Sequence, residues 1–315
     1  VSIKFQTKNE SNFIYLYIHN NIIIRSIIQN NKPLKYQIQY PKLIISLSTE
    51  HEIDLSKYPI SIDYTIQPNH NDQIGFFFNQ GCYLTYFEPN GARRLLPCFD
   101  EPTVRSSFKV KLRIPLNLTG LSNMPIETIT KSEKDQEISF YPTPPICSYL
   151  LCICVGQFGS ISSHSERGIP IEFYAKKGEE ELYKQLLEVC VYTFNWIETN
   201  FNVKYELPKL QIISLSAISN CMENYGLITL RDYSIKGNSE YKEMSVIHEI
   251  IHQWFGGLVS IKYWDSLWLN EGFAQFIQYL IIKDFLNDHS NIWIKFSKTE
   301  GFVSYRYFYN GSIVP

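Results

Sequence analysis

The feature that most narrows the possible folds is a change in hydrophobic period part-way along the chain. Residues 13–19, 43–47, 60–66 and 107–114 alternate apolar and polar positions or concentrate β-branched and aromatic side chains, as half-buried strands do. Asn-Asn, Asn-Lys-Pro, Pro-Asn-His-Asn and Pro-Asn-Gly lie between such runs and supply turns. No long helical period occurs before about residue 178. Beyond it, Leu182, Leu186, Val189, Cys190, Phe194 and Ile197 recur at helical spacing. Glu179, Glu180 and Glu181 stand before them, where a helix dipole favours negative charge. A strand over 169–174 precedes this helix, strands over 209–215 and 226–230 follow it, and two more helices are predicted over about 239–255 and 270–285. Such a pattern belongs to a multidomain α+β protein, with a β-sheet domain over residues 1–160 and a mixed domain over 161–315.

Composition closes off several functions. With 44% apolar and 15% aromatic residues the chain can bury a sizeable core. The balance of 29 Lys+Arg against 31 Asp+Glu leaves no basic footprint, so nucleic acid is not an expected partner. The longest apolar run, 149–155, is strand-sized, so no membrane span is expected. Seven cysteines, an odd number without a Cys-x-x-Cys, read as reduced thiols and a cytoplasmic chain. A start at Val1 and a stop at Pro315 without a closing element read as a piece of a longer polypeptide.

The chemistry is concentrated in His248-Glu249-Ile250-Ile251-His252 and, 18 residues further on, Asn270-Glu271. Two histidines four apart on a helix lie one turn above each other and can reach one ion. Neutral imidazole suits Zn2+, and three protein ligands, here His248, His252 and Glu271, leave a fourth position open for water. Glu249 is rotated away from the ligand row yet close enough to take a proton from that water. The apolar neighbours Ile247, Ile250, Ile251, Trp254 and Phe255 make the helix a buried one. Two buried imidazoles are costly there unless an ion or a partner satisfies them.

Four stretches extend this motif: Thr85-Tyr86-Phe87-Glu88-Pro89 with Ala92-Arg93-Arg94 and Pro97-Cys98-Phe99-Asp100-Glu101-Pro102; Leu121-Ser122-Asn123-Met124-Pro125; Met222-Glu223-Asn224-Tyr225-Gly226; and the segment from His248 to Phe276. In order and spacing they resemble the M1 family of zinc aminopeptidases, the gluzincins related to puromycin-sensitive and alanyl aminopeptidases. The resemblance implies a saddle-like antiparallel β domain followed by a thermolysin-like α/β zinc-metallopeptidase domain, incomplete at its C-terminal end. It also implies hydrolysis of the N-terminal residue from peptides with a free N-terminus, one Zn2+ per chain, and Glu249 as general base. Glu223 and Glu88 would hold the substrate's α-ammonium, and Met222 and Asn224 would shape the substrate strand. Arg93, Arg94 and Asp100 are expected to form a structural ion-pair cluster.

The chain departs from the family pattern in places. Asn220 stands where glycine is usual before Met-Glu-Asn, Tyr86 where glutamine is usual, and Gly257 where asparagine follows Trp-Phe-Gly. Together these departures suggest relaxed constraint. The family's oxyanion-stabilising tyrosine lies in a Tyr-x-Lys-Gly context that these 315 residues do not contain, and Tyr305, Tyr307 and Tyr309 have the wrong neighbours. The competing expectation is therefore a truncated, catalytically impaired relative that binds zinc and peptides without efficient turnover. A general endopeptidase is a third reading, against which Glu223 and Glu88 argue.

Overall fold

The computed structural model describes residues 2–3, 12–47, 59–69, 72–232, 242–286 and 291–298. The chain divides into two compact units: Val1–Phe158 with Ala217–Ser219 and Lys262–Trp264, and Gly159–Ser216 with Asn220–Ile261 and Asp265–Pro315.

The first unit is built from antiparallel sheets. Phe13–Tyr17, Lys42–Ser46 and Tyr36–Gln39 form one three-stranded antiparallel sheet with Lys42–Ser46 in the middle, and the register that pairs Ile14 with Ile45 and Leu16 with Leu43 puts all four on one face. They pack with Ile22, Ile27, Ile60 and Ile62 of a second sheet, in which Ile60–Ile66 pairs Ile22–Gln29. The period-two pattern thus becomes two inward apolar faces sharing one core. A four-stranded sheet carries Cys82–Tyr86 between Ile153–Gly156 and Gly75–Asn79, and Glu88 follows directly, half-buried. Of the predicted strand at 107–114 only Lys111–Pro115 is regular, because Ser107 and Phe108 bond to Thr143 outside a ladder.

The predicted ion-pair cluster is divided. Arg93 Nε meets the buried Asp100 carboxylate at 2.5 Å and its guanidinium lies 4.2 Å from the Tyr17 ring centre, whereas Arg94 turns away to Asp72 at 2.9 Å. Burial raises the Asp100 pKa, partly offset by Arg93. Asn123 bonds the backbone of Leu150 and Cys152 on both sides of its amide, which gives the second motif a structural role.

In the second unit the strands Pro170–Lys176, Leu210–Leu215 and Leu227–Arg231 run parallel, with Ile171 opposite Leu210 and Ile212 opposite Ile228. Helix α1, Lys184–Phe201, connects the first two and buries Leu186, Leu187, Val189, Cys190, Phe194 and Ile197. It begins later than the sequence suggests. Glu180 accepts the Gly178 N–H at 2.6 Å and the chain makes a 3-10 turn over Glu180–Tyr183. Three residues per turn instead of 3.6 rotates the side chains. Leu182 consequently points to solvent, 71% exposed, and Tyr183 turns inward to stack on Phe173. The acidic residues lie in that turn rather than in the first turn of α1.

Helix α2 is Lys242–Ile251, and residues 239–241 of its predicted span lie outside the described residues. It stops short of 255 because the hydrogen-bond step changes. Gln253 and Trp254 bond back three residues, and then Gly257, Leu258 and Val259 bond back five. Gly256, with φ at +126°, turns the chain there. Helix α3, Leu267–Leu286, packs on α2, and the short α4 is Ile292–Phe296. No helix among the described residues is long and apolar enough to cross a membrane.

Candidate metal centre

His248 lies in the last turn of α2 and His252 one turn on, where His252 N–H still bonds the His248 carbonyl at 3.3 Å. Helix α3 brings Glu271 to them. His248 Nε2 and His252 Nε2 are 3.0 Å apart, and Glu271 Oε2 lies 3.3 Å from the first and 3.5 Å from the second. The three donor atoms predicted from the sequence thus form one small triangle. Four-coordinate Zn2+ with bonds of roughly 2.0–2.1 Å has donor–donor edges of about 3.3–3.4 Å. The donor set fits that ion in chemistry and in spacing.

Two groups absent from the sequence reading orient the imidazoles. His248 Nδ1 faces Gln278 Oε1 at 3.1 Å, and His252 Nδ1 faces the Phe255 carbonyl at 2.9 Å. Each partner accepts from Nδ1–H, and in the neutral rings that a metal ion requires both Nε2 lone pairs are aimed at the shared point. Gln278 is seven residues after Glu271, two helical turns on the same face, so spacing alone could have flagged it. The Phe255 carbonyl carries no side-chain signal.

The site is electronegative. Burial opposes charge on His252, but the carboxylates of Glu223, Glu271 and Glu249 outweigh it and push its pKa up to about 10. Burial likewise opposes charge on Glu271, yet hydrogen bonds to His248 and His252 hold its carboxyl below the usual range. Glu249 is buried and Glu223 nearly fully so. Three carboxylates around two imidazoles favour a bound cation.

Met222, Glu223 and Asn224 form the loop before strand Leu227–Arg231. Met222 exchanges two backbone bonds with Thr229, and Leu227 N–H bonds the Asn224 carbonyl. All three are buried; Glu223 Oε1 and both Asn224 side-chain atoms have no hydrogen-bond partner among the described residues. Gly257 has a definite packing reason, contrary to the expectation of relaxed constraint. A Cβ there would fall 2.4 Å from Tyr225 Cδ2, so the Tyr225 ring fills the space a side chain would need. Glu88 belongs to the first unit. Tyr305, Tyr307 and Tyr309 lie outside the described residues.

Residues 1–150 match the Peptidase M1 N-terminal domain and residues 185–305 the Peptidase family M1 domain. Over 229 residues the chain is 38% identical to Aminopeptidase M1 of Arabidopsis thaliana, covering 69% of this chain and 26% of that one. It is 33% identical over 287 residues to the Puromycin-sensitive aminopeptidase of Caenorhabditis elegans, covering 81% and 30%. Glutamyl aminopeptidase of Bos taurus is 36% identical over 209 residues, 62% of this chain and 22% of its own length. The chain thus spans about a quarter of the length of these curated relatives. With both domain matches in order, and the two-histidine, one-glutamate triangle set within the second, the chain belongs to the M1 peptidase family.

Proposed function

We propose that this chain carries the catalytic centre of a zinc aminopeptidase, with His248, His252 and Glu271 as ligands of one Zn2+. The observation that carries the reading is the triangle of donor atoms, oriented by Gln278 and the Phe255 carbonyl. When bound, zinc supplies Lewis-acid polarisation of the scissile carbonyl and brings the pKa of a water at its open position toward about 7. Glu249, adjacent to His248 but outside the ligand row, accepts the proton of the attacking water and returns it to the departing amine. Glu223 accepts the charge-assisted hydrogen bond of the substrate's α-ammonium, a group mostly charged at neutral pH. Its buried oxygen, without a partner among the described residues, is an acceptor in want of a donor. Glu88 is assigned the same task from the β domain by its place in the Phe-Glu-Pro motif. Met222 and Asn224 are assigned to the substrate strand. The substrates are peptides with a free N-terminus, and a cytoplasmic location, where thiols stay reduced, suits the seven cysteines.

A second reading is a chain that binds zinc and peptides without efficient turnover. Turnover of an aminoacyl arylamide, with free and acetylated amino ends, separates the two readings. Activity lost on acetylation and abolished in Glu249→Gln, with zinc retained, supports the aminopeptidase. Zinc without turnover supports the second reading, and equal cleavage of the acetylated substrate contradicts both.

A further inference from the structure

We infer that Gln253 is a positioning residue that fixes the distance between the ammonium-binding carboxylate and the metal ligands; the inference rests on the proposed role of Glu223. Gln253 follows His252 directly in the chain and is fully buried. Its Oε1 accepts the Gly226 N–H at 2.8 Å and the Tyr205 O–H at 3.4 Å. Its Nε2 donates to the Glu223 carbonyl at 3.0 Å and the Asn224 carbonyl at 3.5 Å. A primary amide offers two donors and two acceptor lone pairs, and here all four are used. Three of these bonds run to the loop between Glu223 and Gly226, so one side chain joins that loop to the residue next to a proposed ligand.

The loop has a second tie. Lys209, itself buried, donates from Nζ to the Gly226 carbonyl at 2.7 Å and to Gln211 Oε1 at 2.7 Å. Gly226 is thereby held through its N–H by Gln253 and through its carbonyl by Lys209, in a conformation with φ at +84°. Glu223 Oε1, in contrast, has no hydrogen-bond partner among the described residues. With Oε1 unbonded, the loop backbone has a large share in placing the Glu223 carboxylate, and Gln253 is the side chain that bonds that backbone at the Glu223 and Asn224 carbonyls. An exopeptidase measures one residue from a free amino end, so an error of about 1 Å at this carboxylate costs the discrimination on which the measurement depends.

The test reads binding, not turnover. Leucine hydroxamate and its des-amino counterpart, 4-methylpentanohydroxamate, are titrated into the zinc-loaded chain, and the ratio of their dissociation constants reports recognition of the ammonium alone. In the wild type the amine-bearing probe binds more tightly by about tenfold or more, the scale of one charge-assisted hydrogen bond. Gln253→Met, close in shape but unable to hold the loop, is expected to keep its zinc and bring the ratio to within about threefold of one. A merely structural role would weaken both probes alike and leave the ratio at its wild-type value, which overturns the inference. Glu223→Gln is measured alongside. If it too keeps the wild-type ratio, the assignment of Glu223 has failed; if it loses the ratio while Gln253→Met keeps it, only the role of Gln253 has. Should Gln253→Met lose its zinc or its fold, Gln253→Asn, which keeps the amide but draws it back by one methylene from the Glu223 and Asn224 carbonyls, carries the same expectation, with an unchanged ratio again decisive against it.

Discussion

Replacing Gln278 by methionine isolates the contribution of one hydrogen bond to zinc affinity. Gln278 is 5% exposed, so no bulk water replaces its carbonyl when it is removed. Its Oε1 lies 3.1 Å from His248 Nδ1. Methionine is close in volume and disturbs packing little. His248 must then either bury an unsatisfied Nδ1–H or move the proton to Nε2 and lose the lone pair that would bind the ion. Loss of such an outer partner weakens metal binding by about 10- to 100-fold, equivalent to about 1.4–2.7 kcal/mol. Because the ion binds only the folded chain, zinc-dependent stabilisation against heat should shrink by the same amount. Competition against a chromogenic chelator gives the affinity, and melting with and without zinc gives the linked stability. Gln278→Glu restores an acceptor and should regain at least wild-type affinity. An affinity for Gln278→Met within about twofold of wild type would refute the assignment of Gln278 as the group that orients His248.

Other consequences are separately measurable. His252→Ala should abolish stoichiometric zinc binding in dialysed protein, and full occupancy after that change contradicts the ligand set. Gly257→Ala forces its Cβ against Tyr225 and the Gln253 carbonyl, at 2.4 and 2.7 Å, and should cost about 1–3 kcal/mol in urea unfolding; an unchanged midpoint shows that the ring moves freely. Glu198 accepts Arg167 at 2.7 and 2.5 Å and the Tyr205 N–H at 2.7 Å. Burial opposes its charge, but Arg167 and that N–H prevail, and its pKa lies below the usual carboxylate value. A lowered folded-state pKa stabilises the fold above the unfolded pKa of roughly 4.3, and this contribution disappears as pH falls through the folded value. Glu198→Gln should thus be less stable than wild type at pH 7 by under about 1 kcal/mol, because Arg167 is partly in water. The gap should close below about pH 4, and a gap independent of pH rules out the linkage.

The parts of this molecule that the sequence states openly are those in which a side chain's position follows from local period. Alternation at 13–17 and 42–46 places Ile14, Leu16, Leu43 and Ile45 on one face, which is what the pairing produces. Four-residue spacing puts His248 and His252 one above the other. Where a local bond changes the helical step, the pattern misleads: Glu180 caps Gly178, a 3-10 turn forms, and Leu182 leaves the apolar face to which its spacing assigned it. The groups that orient the site are less legible because their roles arise through tertiary approach. Gln253 had one visible clue, a polar residue inside the run from Ile250 to Phe255, and burying it is tolerable only if every amide atom is bonded. Gly257 read as loosened constraint because its meaning lies in the Tyr225 ring, thirty-two positions away in sequence and in contact in space.

The function proposed for this chain depends on two imidazoles and one carboxylate holding a single zinc ion. Zinc K-edge X-ray absorption on the purified chain reads that donor set, since bond lengths distinguish the donor elements. One zinc per chain is expected, with nitrogen and oxygen scatterers at about 2.0–2.2 Å and the outer-shell signature of two imidazole rings. Sulfur at about 2.3 Å would place the ion on cysteine thiolates instead and refute the ligand set.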